Sequence, residues 1–107
     1  MLSQEEIGEI KEMMRGGEEK LLLVFDALSD PGRLGIFRLL TKRHDICVTD
    51  VARIFEISLP AASHQLKILE RAGLVKRTRM GQMICYEIKE EDNLVKSIIS
   101  LFSHENI

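Results

Sequence analysis

The chain has 107 residues, of which 45% are apolar and 30% charged, with a formal net charge of −2 at pH 7. That length suits one domain over residues 1–107 and leaves roughly a third of the unfolded surface exposed, so pairing with a second copy would bury more. The longest uncharged apolar run, Leu21 to Phe25, is far too short to span a bilayer, and the acidic start MLSQEEIGEIKEMM lacks a signal peptide's basic and apolar segments, so a cytoplasmic protein with no membrane partner is expected.

Ser3 can cap a first helix running to about Arg15, with Glu6 completing a capping box. Ile7, Ile10 and Met14 fall on one side of it, and Gly16-Gly17 breaks it. Glu18 to Leu28 reads as a second helix. Leu21, Leu22, Val24, Phe25 and Leu28 make it apolar over most of its girth, which predicts burial in a core or between subunits. Asp30 caps a third helix, Pro31 takes its first position, and Leu34, Ile36, Phe37, Leu39 and Leu40 carry it to about Lys42.

The stretch Thr49 to Leu74 reads as two short helices and a tight turn. Thr49 or Asp50 can cap the first, and Val51, Ala52 and Phe55 form its buried face. Glu56, Ile57 and Ser58 make the turn. Ser58 caps the second helix, Pro60 sits in its first turn, and Ala62, Leu66 and Leu69 form a buried stripe at i, i+4 and i+7. Pro60, Ala61, His64, Lys67, Ile68 and Arg71 point the other way, with Ser63 and Gln65 on the flanks, and Gly73 ends the helix. Two helices, a short turn and an outward side of small and polar residues are the plan of a DNA-reading helix-turn-helix.

After Gly73 the period becomes alternating. Leu74 to Thr78 and Met83 to Ile88 read as strands joined at Arg79-Met80-Gly81-Gln82. Ile84, Tyr86 and Ile88 are expected to face in, and Met83, Cys85 and Glu87 out. A basic-tipped hairpin after a reading helix is a wing. A last helix over about 92–104 carries Leu94, Val95, Ile98, Ile99, Leu101 and Phe102. The expected fold is mainly α with a β-hairpin wing, in the order α-α-α-α-α-β-β-α. The terminal helices, about 3–15 and 92–104, are expected to form a homodimer interface through Ile7, Ile10, Met14, Leu94, Ile98, Leu101 and Phe102.

The net negative charge argues against a nucleic-acid partner until its distribution is read. Residues 33 to 79 carry Arg33, Arg38, Lys42, Arg43, Arg53, Lys67, Arg71, Lys76, Arg77 and Arg79 against Asp45, Asp50, Glu56 and Glu70, and most of the other acids lie toward the two ends. A basic centre between acidic ends is the footprint of a polyanion binder. Candidate DNA contacts are Ser58, Ala61, Ser63, His64, Gln65 and Lys67 on the reading helix and Arg77, Arg79 and Gln82 on the wing. Gln65 could pair bidentately with an adenine and Ala61 touch a thymine methyl. Lys67, Arg77 and Arg79 suit phosphates, which position without specifying.

LSDPGRLGIFRLL resembles the LADPTRLRIL segment of the ArsR/SmtB winged-helix regulators, and ISLPAASHQLKILERAGLVKRTRMGQMICYEI resembles their reading helix and wing, commonly LSQPTVSHHLKVLREAGLV…REGRWVYYSL. The likeness covers about residues 24 to 88. It implies a dimeric prokaryotic repressor that binds double-stranded operator DNA and releases it on meeting an inducer, whose identity stays open. Leu59 stands where the family often has Gln, and Gln65 where it often has His. Gly32 and Gly35 replace common Thr and Arg, which should loosen the third helix by roughly 1 kcal/mol per glycine.

Family members that sense soft metals often carry Cys-Val-Cys-Asp ahead of the reading helix; here the place reads Cys47-Val48-Thr49-Asp50, with one thiolate missing. A second family site pairs Asp with His on the last helix; Asp92 is present, but Leu94 stands where the His would be, and His104 and Glu105 do not restore the spacing. No intact metal site and no cofactor are expected. Cys47 and Cys85 are too few and too far apart for a disulfide framework, and remain candidates for thiol sensing or inert thiols. Alternative functions are a winged-helix protein-interaction module that binds no DNA, or a thiol-based or metal-responsive sensor through Cys47. No nucleophile–base pair and no phosphate-cradling loop argues for an enzyme.

Overall fold

The computed structural model describes residues 1–102 and contains α1 (Gln4–Met13), α2 (Glu19–Leu28), α3 (Pro31–Lys42), α4 (Val48–Phe55), α5 (Leu59–Arg71), β1 (Val75–Met80), β2 (Met83–Ile88) and α6 (Asn93–Ser100), in that order. The helix starts are set by the expected chemistry. Ser3 Oγ accepts from Glu6 N at 3.1 Å while Glu6 Oε1 accepts from Ser3 N at 2.9 Å. Asp30 accepts from Arg33 N at 2.9 Å, Ser58 from Ala61 N at 3.1 Å and Asp92 from Val95 N at 3.1 Å. Each satisfies a first-turn N–H that has no partner within its helix.

The start of α4 is a correction. Neither Thr49 nor Asp50 is its cap residue; Cys47 holds that place, and Asp50 reaches back to accept from Cys47 N at 2.8 Å. The turn into α5 needs one left-handed residue, Glu56 at φ 55°.

The core is built from inward stripes of α2 to α6. Ile36, Phe37 and Leu40 of α3, Val51 of α4, and Ala62, Leu66 and Leu69 of α5 are buried. Removing each large apolar side chain from water contributes about 1.5–3 kcal/mol. Tyr86, Ile88, Val95 and Ile98 close the core from the wing side and α6. Phe102 leans on Phe37 with ring centroids 5.9 Å apart, and the Arg38 guanidinium lies 5.5 Å from the Phe102 ring centre.

The two glycines expected to weaken α3 make room. A Cβ on Gly35 would stand 3.2 Å from the Phe55 ring, and one on Gly32 would stand 3.1 Å from Asp30 Oδ2. Both sites accept the propensity loss in return for close approach.

β1 and β2 pair antiparallel from Val75↔Ile88 to Met80↔Met83. The two-residue turn has Gly81 at φ 65° as its only positive-φ residue, the pattern of a II′ hairpin. Cys85 does not face out as expected; it is 2% exposed. The reason is a third short segment. Ile46 O accepts from Tyr86 N at 3.1 Å, and Cys47 pairs opposite Cys85 in an antiparallel bridge, so the Cys47 side chain lies beside Cys85 on the face that alternation had assigned to solvent.

None of the residues of α1 is buried, and the molecule measures 60 × 28 × 25 Å along its principal axes. Ile7 and Ile10 are each 41% exposed and Met14 77%. Ile98, expected at an interface, turns into its own chain's core, and Leu94 and Phe102 pack half-buried against that core. Leu22, Leu23 and Phe25 of α2 are exposed instead. The last helix is shorter than expected, ending at Ser100; the His104 and Glu105 positions lie outside the described residues. No helix among the described residues is long and apolar enough to cross a membrane.

Lys20 of α2 reaches Asp92 at 2.7 Å. That contact, with the Val95 N–H, holds the Asp92 carboxyl below its ordinary value of 3.8. The folded state thus binds fewer protons than the unfolded one as Asp92 titrates. Its contribution is complete above the unfolded value and is lost as pH falls through the lower folded value. In thermal melts taken from neutral pH downward, Asp92→Asn should be less stable than the parent at neutral pH, and the difference should shrink below pH 3.8.

Candidate functional site

The outward side of α5 and the hairpin form one surface. Burial of Ala62, Leu66 and Leu69 at 0% exposure fixes the rotation of α5, so His64 and Lys67 are exposed and Ser63 and Ala61 half-exposed. Ser58 is exposed at the helix start with its oxygen accepting the cap bond; its hydroxyl hydrogen is still able to donate. Arg77 and Arg79 lie two residues apart on β1, on the same side of the strand, and both are exposed, as is Gln82 at the turn.

Between α5 and the hairpin runs a cleft of about 410 Å³, bordered by Ser63, Lys67, Arg77, Gln82, Tyr86 and Cys47. Four expected DNA contacts thus meet around one concavity. Two of them carry positive charge, so a chain of phosphates laid along the cleft would meet charge from both sides.

Gln65, expected on the flank of the reading helix as a base contact, turns its side chain to α3. Gln65 Oε1 accepts from Arg33 Nη1 at 3.1 Å, and Gln65 Nε2 donates to Asp30 Oδ2 at 3.3 Å. Arg33 also donates from Nε to Ala27 O at 2.8 Å and from Nη2 to Asp26 O at 3.4 Å. The carbonyl end of α2, the start of α3 and the middle of α5 are joined through one guanidinium and one amide. An amide so engaged is not presented to a base edge. The Arg33 N–H holds the Asp30 carboxyl below its ordinary value, with the Arg33 charge and the Gln65 amide adding to it, so the acceptor stays ionised.

The basic centre of the sequence divides in space. Arg33 turns inward, and Arg43 pairs with Asp45 at 2.9 Å. Lys76 points to Glu87 at 3.7 Å and Glu91 at 3.8 Å, on the other face of the hairpin from Arg77. Strand alternation carries a signal for Lys76, because its neighbours in sequence, Val75 and Arg77, must point the opposite way. Nothing in the helical period marked Arg33, whose role depends on where α2 ends.

The residues ahead of α4 do not fit a soft metal. Cys47 is bonded to Cys85 by a disulfide, and Asp50 is occupied by the Cys47 N–H. Among the described residues no three His, Cys, Asp or Glu side chains gather as a ligand set.

Residues 30–77 match the family model described as bacterial regulatory protein, arsR family. The chain is 33% identical over 96 residues to a cadmium resistance transcriptional regulatory protein, a CadC homolog, from Staphylococcus aureus, covering 89% of this chain and 78% of that one. It is 45% identical over 65 residues to the transcriptional repressor SdpR of Bacillus subtilis (strain 168), covering 61% and 71% respectively. Its fold matches, at a TM-score of 0.65 and 25% identity, a homodimeric winged helix-turn-helix DNA-binding domain from Mycobacterium bovis described as a possible ArsR-family transcriptional regulator; the match covers 98% of this chain and 93% of that one. The helix-turn-helix of α4 and α5, the β1–β2 wing and these likenesses together make the chain a winged helix-turn-helix transcriptional regulator belonging to the ArsR family.

Proposed function

We propose that this regulator is a homodimeric repressor that lays α5 in the major groove of an operator and braces the flanking phosphates with its wing, and that an effector releases it. The observation that carries the reading is the shared cleft, where Ser63 and Lys67 of α5 face Arg77 and Gln82 of the hairpin. Ser63, His64 and Ala61 supply the base-edge chemistry: a hydroxyl and an imidazole that can donate or accept, and a methyl that can meet thymine. Lys67, Arg77 and Arg79 supply phosphate contacts.

Two copies are needed to span half-sites about one DNA turn apart. The apolar surface available for pairing is Ile7, Ile10 and Met14 of α1 with Leu22, Leu23 and Phe25 of α2 and Leu101 past α6, all of them exposed in one chain. A monomer leaving such a surface in water would be unusual, and the M. bovis domain of the same fold is described as homodimeric. Compared with the interface expected from sequence, α2 joins it and Ile98 leaves it.

Three outcomes test the reading, using duplexes selected from a random pool and a scrambled control. Arg79→Ala should weaken both duplexes by similar factors and make the dependence of log K on log salt shallower by about 1. Gln65→Ala should lower the melting temperature and weaken both duplexes in the same ratio, because it removes a brace behind the reading helix; a loss confined to the selected duplex would restore Gln65 as a base reader. The double variant Leu22→Glu and Phe25→Glu should sediment as a monomer and lose cooperative operator binding, and a parent chain that is itself monomeric at micromolar concentration would refute the pairing.

A further inference from the structure

Cys47 and Cys85 lie 38 residues apart in sequence, yet they are bonded to each other. Their place in the fold gives the bond a mechanical meaning. Cys47 is the cap residue of α4, the first helix of the helix-turn-helix, and Cys85 is in β2, the second strand of the wing. The two residues are direct cross-strand partners, and the flanking hydrogen bond from Tyr86 N to Ile46 O makes theirs the non-hydrogen-bonded pair of the ladder, in which opposing side chains come closest. The bond thus ties the wing to the helix-turn-helix. Thiols not bonded to each other need van der Waals separation, well beyond the roughly 2.05 Å of a disulfide. Both residues are packed, at 6% and 2% exposure, which leaves little room for their side chains to rotate apart and favours a shift of β2 against the start of α4 when the sulfurs separate. Cys85 stands opposite Thr78 in the middle of the hairpin, so a shift there is carried to the neighbouring Arg77 and Arg79 and on to Gln82 at the turn.

Any approach to the bond is from the Cys47 side. Cys47, but not Cys85, borders the cleft between α5 and the wing, together with Lys67 and Arg77. Lys67 on one wall of the cleft and Arg77 on the other are both exposed, and these two cations favour a reagent that carries carboxylates.

We propose that Cys47–Cys85 is an exchangeable disulfide that sets the wing for DNA, and that its reaction partner is a small carboxylate-bearing thiol and the corresponding disulfide. In the reducing direction the reagent thiolate attacks Cys47 Sγ, forms a mixed disulfide and expels Cys85 as a thiolate, which takes up a proton. A second reagent thiol attacks the mixed disulfide at the reagent sulfur and frees Cys47. The protein disulfide gains two electrons and two protons, and two reagent thiols leave as one reagent disulfide. The oxidising direction is the reverse. The bonded form holds the wing in place before DNA arrives, so it binds the operator more tightly than the dithiol form. This inference rests on the DNA-binding reading above for its readout, not for its chemistry.

The test equilibrates the full chain with glutathione or with glutathione disulfide and counts free thiols by alkylation and mass. Operator affinity and amide hydrogen exchange over β1 and β2 are then measured in both states. The expected result is a thiol count moving between zero and two, about tenfold tighter operator binding by the oxidised form, and faster exchange in the wing of the reduced form. Cys47→Ala/Cys85→Ala should bind like the reduced parent in both buffers. Equal affinity in the two states, tighter binding by the reduced form, or a thiol count fixed at two under oxidised glutathione would each overturn the proposal. If no duplex binds in either state, the repressor reading fails, and wing exchange alone decides the switch: equal protection in the two states rejects it and unequal protection retains it.

Discussion

The rotation of α5 about its own axis decides what this protein can present to a duplex, and three side chains set it. Ala62, Leu66 and Leu69 are each 0% exposed, packed in the core with Phe37 and Leu40. At 3.6 residues per turn, placing 62, 66 and 69 inward leaves 61, 64 and 67 outward. Turning α5 far enough to hide His64 would lift Leu66 into water, at about 1.5–3 kcal/mol for that side chain alone. The axial start of the helix is held separately, by the Ser58 cap and by Pro60 in the first turn. Rotation is therefore fixed by buried groups, and the exposed outward residues can differ without disturbing the core. Leu59 and Gln65, the two departures from the common family pattern that fall in α5, illustrate the limit of that freedom. Leu59 is 50% exposed and lies on the cleft, whereas Gln65 is built into the support.

Electrostatics follow from this placement more than from the charge total. The net charge of −2 is an average over surfaces that face different partners. Acids of α1 lie on an arm of which no residue is buried, and Lys76 is drawn off to Glu87 and Glu91 on the far side of the hairpin. What remains around the cleft is Lys67 and Arg77, with Arg79 further along β1. Within a Debye length of about 8–10 Å these charges are felt together, while distant carboxylates are screened. A polyanion approaching along the cleft thus meets a local field opposite in sign to the whole molecule's net charge.

Local chemistry was legible in the sequence, and contacts between distant segments were not. Caps and breakers act over three or four residues, so Ser3 with Glu6, Asp30 with Pro31, Ser58 with Pro60, and Gly81 in the hairpin turn could be placed from spacing. The inward stripe of α5 was legible because Ala62, Leu66 and Leu69 repeat the helical period over about two turns. Alternation in β2 failed at Cys85 for a physical reason. Alternation assumes one wet face, and on that face Cys47 lies beside Cys85. The short apolar run Ile46-Cys47-Val48 was the available signal, but a bridge of so few residues has no period to detect. Gln65 was illegible for a different reason. Its type and position fitted base reading, and only the three-dimensional end of α2 shows that Arg33 waits beside it.

That same arginine connects the two surfaces the regulator needs. Its Nε and Nη2 hold the last carbonyls of α2, from Ala27 and Asp26, while its Nη1 holds Gln65 at the middle of α5. α2 carries the exposed Leu22, Leu23 and Phe25, and α5 carries His64 and Lys67. A guanidinium is planar and its donors are fixed in direction, so it cannot follow α2 and α5 independently. If pairing of two chains displaces the end of α2, either the bond to Gln65 lengthens or α5 moves with it. Gly32 permits this arrangement, because a side chain there would press on the Asp30 carboxylate that completes it. The glycine that weakens α3 as a helix is thus the one that lets the apolar surface of α2 and the outward face of α5 share a rigid link.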